Sequence, residues 1–279
     1  MNIFIRDVIG MAKGYKFSEE QIQDIITRYQ NGESTDQIND STYHFATVKP
    51  IKKILKQHGI ELRGPRKYHY NEHIFDIIDT AEKAYWIGFI TADGYINEDR
   101  KWLSIKLQGS DIEHLYKFAD FVGCSRDVVK IEYHNITGKP LCHICLNSSI
   151  IVETLVQKGL RQNKSDKEQV VDIPYEFIKD YIRGVIDGDG CIQQTKIDIT
   201  NSEEVLNFIR NYLSETCDIT IGKMMNTDNR HRIYICKNRE VVLAHLYYDN
   251  CICLDRKYNY ILEHYKVIAV SKSGKIGED

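Results

Sequence analysis

Apolar residues recur with two different periods along the chain, and the change from one period to the other predicts an α+β fold. Between positions 102 and 108, Leu103, Ile105 and Leu107 alternate with polar residues, as in a strand with one buried face. Other stretches repeat apolar residues every three or four positions, as helices do. The predicted order is helix 111–122, strands 128–133 and 141–146 and helix 148–158, then a strand ending at 200, helix 202–213, strands 219–222 and 231–236 and helix 238–248. Together with the apolar segments described next, this order predicts two αββαββ units.

Two apolar segments, 86–94 and 182–190, start the two units and match each other position by position. Each has small residues one helical turn apart and ends in an acid followed by glycine. The small residues are Gly88 and Ala92 in the first segment and Gly184 and Gly188 in the second, and the acids are Asp93 and Asp189. Small residues at this spacing let two helices approach backbone to backbone. We therefore predict a helix pair with both acids together at its C-terminal ends.

Acids at paired helix C-termini require a compensating charge. A carboxylate there faces the negative end of the helix dipole, and a second carboxylate beside it adds repulsion. A cation should offset this charge, and a divalent metal with oxygen ligands is the natural candidate. The glycine after each acid, Gly94 or Gly190, predicts that the chain leaves the helix through a left-handed cap.

The two segments resemble the signature of LAGLIDADG homing endonucleases, in the form where two pseudo-symmetric halves share one chain. The segments 83–89, 159–165, 173–174 and 254–258 also carry the resemblance, which extends over roughly residues 68–268. It implies a saddle with a first half over 67–160, a linker over 161–174 and a second half over 175–279. One position departs from the family pattern, because Thr91 stands where the second copy has the acid Asp187. Since the resemblance places the metal on the later acid, we expect Thr91 to be tolerated.

The resemblance implies cleavage of double-stranded DNA, with one acid near each scissile strand. Asp93 and Asp189 are the expected metal ligands, helped by the carbonyl oxygens of Ala92 and Gly188. Mg²⁺ is the expected ion because it keeps several waters and accepts few protein carboxylates.

Auxiliary catalytic side chains that order water or stabilise phosphoryl oxygens are also implied by the resemblance. The candidates are Lys237, Gln108 and Lys164, although ordinary surface residues give the same pattern. The equivalent of Lys237 in the first half lies close to Asn147, so the two half-sites are predicted to be unequal.

The polar face of each predicted sheet is the expected DNA-contacting surface. It carries Ser104, Lys106 and Gln108 in the first half and Arg230 and Arg232 in the second. An ordinary solvent-facing sheet has the same alternation, so this pattern alone does not decide between the two interpretations.

The first 66 residues predict a separate helical domain. A helix over 17–29 has a serine cap, Ser34 caps a short helix that ends at Ile38, and Pro50 suits the first turn of a third helix. This order resembles a helix-turn-helix DNA-binding unit, although bulky residues between 40 and 48 depart from the usual turn. The lysines on or near its recognition helix would contact DNA: Lys49, Lys52, Lys53 and Lys56. A small helical domain with a solvated basic face is the alternative.

Composition limits the class of protein. The net charge is −3, but the first 70 residues are net positive and the remainder is net negative, so the positive field is local. No apolar run approaches the roughly 18 residues of a membrane span, and the first residues lack a signal-peptide pattern, so a soluble, cytoplasmic protein is expected. The eight cysteines are expected to be reduced. Cys142 and Cys145 have zinc-like spacing, but the alternation around them favours a strand.

Together these features predict a monomeric, sequence-specific DNA endonuclease. By resemblance, this hydrolase would leave short 3′ overhangs and act in the mobility of introns. The alternative is a DNA-binding regulator or an intron-splicing maturase on the same scaffold, without cleavage. The presence of both Asp93 and Asp189 argues against that alternative, because binding alone gains nothing from two carboxylates that repel each other.

Overall fold

The computed structural model describes residues 11–12, 15–30, 33, 35–60, 62, 68–99, 101–161, 170–227 and 230–265. The chain divides into two compact units, Met1–Lys67 and Tyr68–Asp279. Each unit has an apolar core of its own. No helix in the described ranges is both long enough and apolar enough to cross a membrane.

The smaller unit packs helices α1 (Glu19–Gln30), α2 (Thr35–Ile38) and α3 (Lys49–Gln57) around its core, after the two-residue strands β1 (Met11–Ala12) and β2 (Tyr15–Lys16). The predicted serine cap of α1 is confirmed, because the backbone N–H of Gln21 donates to Oγ of Ser18 at 3.2 Å. Pro50 lies in the first turn of α3, as predicted. Ser34, the predicted cap of α2, lies outside the described residues.

The segment between α2 and α3 departs from a regular turn. α2 continues directly into a π-helical turn at Asn39–Tyr43, and His44 then adopts a left-handed conformation with φ 50°. The rings of Tyr43 and Phe45 stack with their centroids 5.5 Å apart. These bulky residues account for the irregular connection, and the helix-turn-helix assignment stays a prediction.

The larger unit contains the same order of elements twice. The first half has α4 (Ala81–Asp93), β3 (Gly94–Asn97), β4 (Trp102–Gln108), α5 (Ile112–Phe121), β5 (Lys130–Tyr133), β6 (Pro140–Asn147) and α6 (Ser149–Gln157). The second half has α7 (Ile178–Asp189), β7 (Gly190–Ile192), β8 (Ile197–Asn201), α8 (Glu203–Thr216), β9 (Met225–Thr227), β10 (Arg230–Ile235), α9 (Arg239–Leu246) and α10 (Asp255–His264).

Each half forms a four-stranded antiparallel sheet with equivalent topology. The strand orders are β3-β4-β6-β5 and β7-β8-β10-β9. The registers also correspond, because Gly94 lies opposite Ile105 and Gly190 lies opposite Ile199. Alternate strand residues join the apolar core with the helices, as the sequence pattern required. The predicted α+β class with two repeated halves is therefore confirmed.

Three details of the predicted elements are wrong. Residues 219–222 form no strand. Ile219 and Ile221 are buried, but they lie in a loop that packs against the core, and β9 begins at Met225. Asp79, with Glu82 three residues later, has the spacing of a capping box for α4. The cap is instead Thr80, whose side chain accepts from the backbone N–H of Lys83, and Asp79 forms an ion pair with the Lys83 side chain at 2.7 Å. Helix α10 was not predicted, since few of its residues are apolar.

Candidate functional site

Helices α4 and α7 pack backbone to backbone through glycines. A Cβ atom added to Gly88 would overlap the carbonyl oxygen of Tyr181, and one added to Gly184 would overlap the carbonyl oxygen of Tyr85. The contact is reciprocal because the two tyrosines, like the two glycines, hold equivalent positions in the repeated segments. The predicted close contact between the helices is therefore confirmed.

Both acids lie at the C-terminal ends of this helix pair. Asp93 is the last residue of α4 and Asp189 is the last residue of α7, and both are half-buried. A Cβ atom on Gly188 would overlap the side chain of Ala92 and would lie 3.4 Å from Cγ of Asp93. The Asp93 carboxyl thus lies against the end of the opposite helix. We refer to Ala92, Asp93, Gly188 and Asp189 as the paired helix ends.

The glycines after the acids do not form the predicted left-handed caps. Gly94 has φ −73° and ψ 145°, and Gly190 has φ −92° and ψ 154°, which are extended conformations open to any residue. A Cβ atom on these glycines would lie 2.6 Å from the carbonyl oxygen of Ile90 and 2.5 Å from that of Ile186. Glycine is needed here because β3 and β7 begin immediately, close against the last helical turn.

Asn201 holds the carboxylate of Asp189. Its Nδ2 donates to Oδ2 of Asp189 at 2.9 Å from the end of β8. The strand register makes Leu107 the equivalent residue in the first half, and a leucine side chain cannot donate a hydrogen bond. The two acids therefore have unequal surroundings. Sequence reasoning missed Asn201 because its approach to Asp189 depends on sheet register.

Lys257 places a cation beside the paired helix ends. The residue is 6% exposed, and its Nζ donates to the carbonyl oxygens of Ile186, Asp187 and Gly190 at 2.6, 2.7 and 2.6 Å. The sequence predicted a cation here and assigned that role to a metal, whereas the chain supplies one of its own. The signal in the sequence was the position of Lys257 within 254–258, one of the segments that carry the resemblance.

Asp187 lies in the core and has a structural role. It is fully buried, and it accepts hydrogen bonds from the hydroxyl groups of Tyr247 at 2.7 Å and Tyr85 at 2.8 Å and from the backbone N–H of Leu254 at 2.7 Å. Burial raises the pKa of Asp187, and nearby Lys257 opposes this shift. Thr91, at the equivalent position, donates to the carbonyl oxygen of Ile87 at 2.9 Å. Its hydroxyl is thereby satisfied without the network that Asp187 requires.

The predicted auxiliary residues occupy different settings. Gln108 is exposed at the end of β4, where its Nε2 donates to Oδ2 of Asp111 at 3.1 Å. Lys237 is exposed between β10 and α9, and Asn147, close to the equivalent position in the first half, is exposed at the end of β6. Lys164 lies outside the described residues. Their catalytic roles stay predictions.

The first sheet carries a paired cation on its polar face. Lys106 projects from β4, and its Nζ lies 2.5 Å from Oε1 of Glu132 on β5. Ser104 is half-buried on the same face of β4. The positive charge of this face is thus partly compensated by an acid of the same sheet.

The polar face of the second sheet carries Arg232, whose guanidinium group is held by neighbouring side chains. Nε of Arg232 donates to Oγ1 of Thr200 at 3.0 Å and lies 3.3 Å from Oδ1 of Asp198. Arg230 begins the same strand, β10, but its side chain lies outside the described part of the structure. Both sheets therefore present a cation beside an acid, with different chemistry in the two halves.

The cysteines and other candidate ligands form no multi-residue metal cluster in the described ranges. Within them, no group of three or more His, Cys, Asp and Glu side chains is placed to hold a metal ion. Cys142 and Cys145 both lie in β6, as the alternation predicted, and both are free thiols. A metal at the paired helix ends would therefore rest on two carboxylates with other oxygen donors.

No protein-family model matches the chain, and no curated protein matches it. Several solved structures are similar to it. Full-length DUF199/WhiA from Thermatoga maritima is 17% identical, with 75% of this chain and 68% of that chain covered and a TM-score of 0.46. The homing endonuclease I-WcaI, bound to its DNA recognition sequence, is 14% identical, with 79% and 96% covered and a TM-score of 0.46. The LAGLIDADG meganuclease I-AabMI, bound to uncleaved DNA, is 14% identical, with 68% and 91% covered and a TM-score of 0.44. These are similarities of fold alone.

Proposed function

We propose that this chain is a sequence-specific, metal-dependent double-strand DNA endonuclease. The observation that carries the proposal is the meeting of Asp93 and Asp189 at adjoining helix ends, where the glycine contact brings one acid from each half together. Both acids are half-buried, so neither is fully enclosed in the apolar core. Because one chain provides both acids, the protein is proposed to act as a monomer.

The proposed substrate is duplex DNA, whose two strands match the two-fold repeat of the larger unit. The polar sheet faces with Lys106 and Arg232 would contact it, together with Ser104, Gln108 and Arg230. The lysines of α3 would extend the contact as part of a helix-turn-helix: Lys49, Lys52, Lys53 and Lys56. All four are exposed. Phosphate contacts would position the protein, and side chains in the groove would read bases.

The residues at the paired helix ends fit a magnesium ion. Mg²⁺ takes one or two carboxylates and fills its remaining positions with water and phosphate oxygens, so the two acids meet its needs without a third. Because Gly188 has no side chain, the two helix ends can approach closely, and the Asp93 carboxyl lies against the end of α7. Asp93 and Asp189 would hold the metal, with the carbonyls of Ala92 and Gly188. When bound, the metal would lower the pKa of water and neutralise charge on the phosphate.

The chain's own side chains would orient the ligands and the water. Asn201 fixes one oxygen of Asp189 and so limits the rotation of that carboxylate. Lys237, Gln108 and Lys164 are the proposed auxiliary residues that order water or contact phosphoryl oxygens. Because the position equivalent to Lys237 in the first half lies close to Asn147, the two half-sites are proposed to be unequal and to cut their strands at different rates.

The test is cleavage selection on a randomised duplex library with Mg²⁺, compared with the same protein in EDTA. We expect discrete Mg²⁺-dependent cuts with a constant short 3′ stagger. Asp93→Asn and Asp189→Asn should abolish double-strand cutting while binding to the selected duplex stays within about threefold. Cutting by both variants at the parental rate would remove these acids from the mechanism.

A non-cleaving DNA-binding regulator or an intron-splicing maturase is the second candidate, and Lys257 favours it. Two adjacent carboxylates argued against pure binding because they repel each other. A fixed cation beside them offsets that repulsion, so the presence of both acids is compatible with binding alone. Tight, selective binding without cuts in the library experiment would support this candidate.

A further inference from the structure

Lys257 makes an unusual set of contacts for a lysine. It comes from the first turn of α10, is 6% exposed, and gives three hydrogen bonds of 2.6–2.7 Å to backbone carbonyls. Burying an ammonium group is unfavourable unless its donors are satisfied. All three N–H donors of Lys257 find carbonyl partners.

The three carbonyls flank the segment that carries the acid of α7. Ile186 and Asp187 precede Gly188 and Asp189, and Gly190 follows them. Lys257 therefore fixes the backbone on both sides of these two residues. Its hydrogen bonds do not use the carbonyl of Gly188, one of the proposed metal ligands.

Several charged groups face the ammonium group from neighbouring elements. Burial lowers the pKa of Lys257 and Arg256 adds to that shift, whereas Asp187, Asp93 and Asp189 oppose it, in decreasing order. A unit positive charge at the C-terminus of α7 also opposes the negative end of the helix dipole. Lys257 thus lies where the dipole and the carboxylates all add negative potential.

We propose that Lys257 is a positioning residue for the paired helix ends, a resident cation that keeps Asp93 and Asp189 together before any divalent ion binds. The assignment of these acids as metal-facing rests on the proposed function. The coupling between Lys257 and the acids is a property of the folded chain and does not require cleavage. The divalent ion adds to an assembled site.

The test is a thermodynamic cycle on the full chain, measured as thermal unfolding in EDTA. Three variants are compared with the parent: Lys257→Met, the double variant Asp93→Asn/Asp189→Asn, and the triple variant that combines all three changes. Methionine fills the volume of the lysine stem without a charge or a donor. We expect the loss of Tm caused by Lys257→Met to shrink to about half or less when both acids are neutral, because the charge that Lys257 offsets is then absent.

Asp187→Asn is the matched control, since it also removes one negative charge beside Lys257 but leaves the paired helix ends intact. If Asp187→Asn alone abolishes the effect of Lys257→Met, or if the loss of Tm is equal in all backgrounds, Lys257 serves only the core and the proposal is wrong. If Lys257→Met alone does not fold, cooperative unfolding should return in the triple variant. Failure of the triple variant to unfold cooperatively, with the two-acid variant folded, would also overturn the proposal.

Calcium ions alone provide a second readout that a purely structural lysine would not change. A divalent ion should replace part of the missing charge, so Ca²⁺ should raise the Tm of Lys257→Met more than that of the parent. When both acids are replaced by asparagine, Ca²⁺ should raise the Tm in neither background. Equal shifts in the parent and Lys257→Met would contradict a charge role. A positive cycle in EDTA with no cleavage of any duplex would reject the proposed nuclease and leave the role of Lys257 standing.

Discussion

Gly88 lies so close to Tyr181 that a single methyl group on the glycine would overlap the tyrosine's carbonyl oxygen. Gly184 makes the reciprocal contact with Tyr85, so the two repeated helices are held together at equivalent positions. Backbone atoms cannot move aside as the end of a flexible side chain can. The distance between the two helices, and with it the meeting of the two acids, therefore depends on glycine at these positions.

Gly88→Ala should destabilise the protein by about 3 kcal/mol, at the upper end of typical overpacking effects. The gain of about 1 kcal/mol from the better helix propensity of alanine is too small to compensate. Gly222→Ala is the control, because no described atom lies within 4 Å of a Cβ placed there and the change should stay within about 0.5 kcal/mol. Urea unfolding measures both, and equal effects would contradict the close contact.

Asn201→Leu should slow the cutting of one DNA strand more than that of the other. The change reproduces the leucine of the first half and removes the amide that holds Asp189. Loss of a group that orients a ligand typically reduces activity about tenfold or more, so a nicked circular plasmid should accumulate. End-labelled duplex identifies the slow strand. Asn211→Leu, the same change on the exposed surface of α8, should leave both rates unchanged; equal slowing of both strands by Asn201→Leu would contradict the prediction.

His114 should make the stability fall in acid. It is 1% exposed, and burial together with Lys117, Arg256 and Lys257 lowers its pKa to about 3. Because the folded pKa lies below the unfolded value of about 6.5, this contribution is present above pH 6.5 and is lost as the pH falls towards 3. The expected slope for one proton is about 1.4 kcal/mol per pH unit.

His114→Gln supplies the comparison, since glutamine retains a donor for the Tyr85 hydroxyl, which lies 3.0 Å from Nε2 of His114, but does not titrate. The difference in the free energy of unfolding between parent and variant should fall with decreasing pH below 6.5. Parallel pH profiles from denaturant titrations at pH 7, 6 and 5 would show that His114 does not carry this dependence.

The lysines of α3 should strengthen DNA binding in a salt-dependent manner. We expect a shallower salt dependence when Lys49, Lys52, Lys53 and Lys56 are replaced by alanine. The negative slope of log affinity against log salt should become smaller in magnitude by about 0.9 for each phosphate that is no longer neutralised. Cut positions should not change, because the proposed catalytic residues belong to the larger unit. Deleting residues 1–66 should likewise shorten the footprint without ending cleavage. An unchanged footprint and salt slope would refute a DNA role for the smaller unit.

The repeated architecture and the candidate acids follow from the order of residues alone. Periods of two and of three to four residues predicted the strands and helices, and small residues one turn apart predicted the contact of α4 with α7. These features are local, because a side chain's face on a helix or strand follows from its position in the period. The apolar face of β4 followed from the same alternation.

The further groups that meet those acids are set by contacts between distant parts of the chain. Asn201 reaches Asp189 only through the register of β7 and β8, and Lys257 arrives from a helix that follows α7 by more than 60 positions. Gly94 and Gly190 need to be glycines because the following strands fold against the helix ends. The local sequence pattern is the same for this arrangement and for a left-handed cap. Such contacts join residues distant in sequence, and no period along the chain encodes the distance between them.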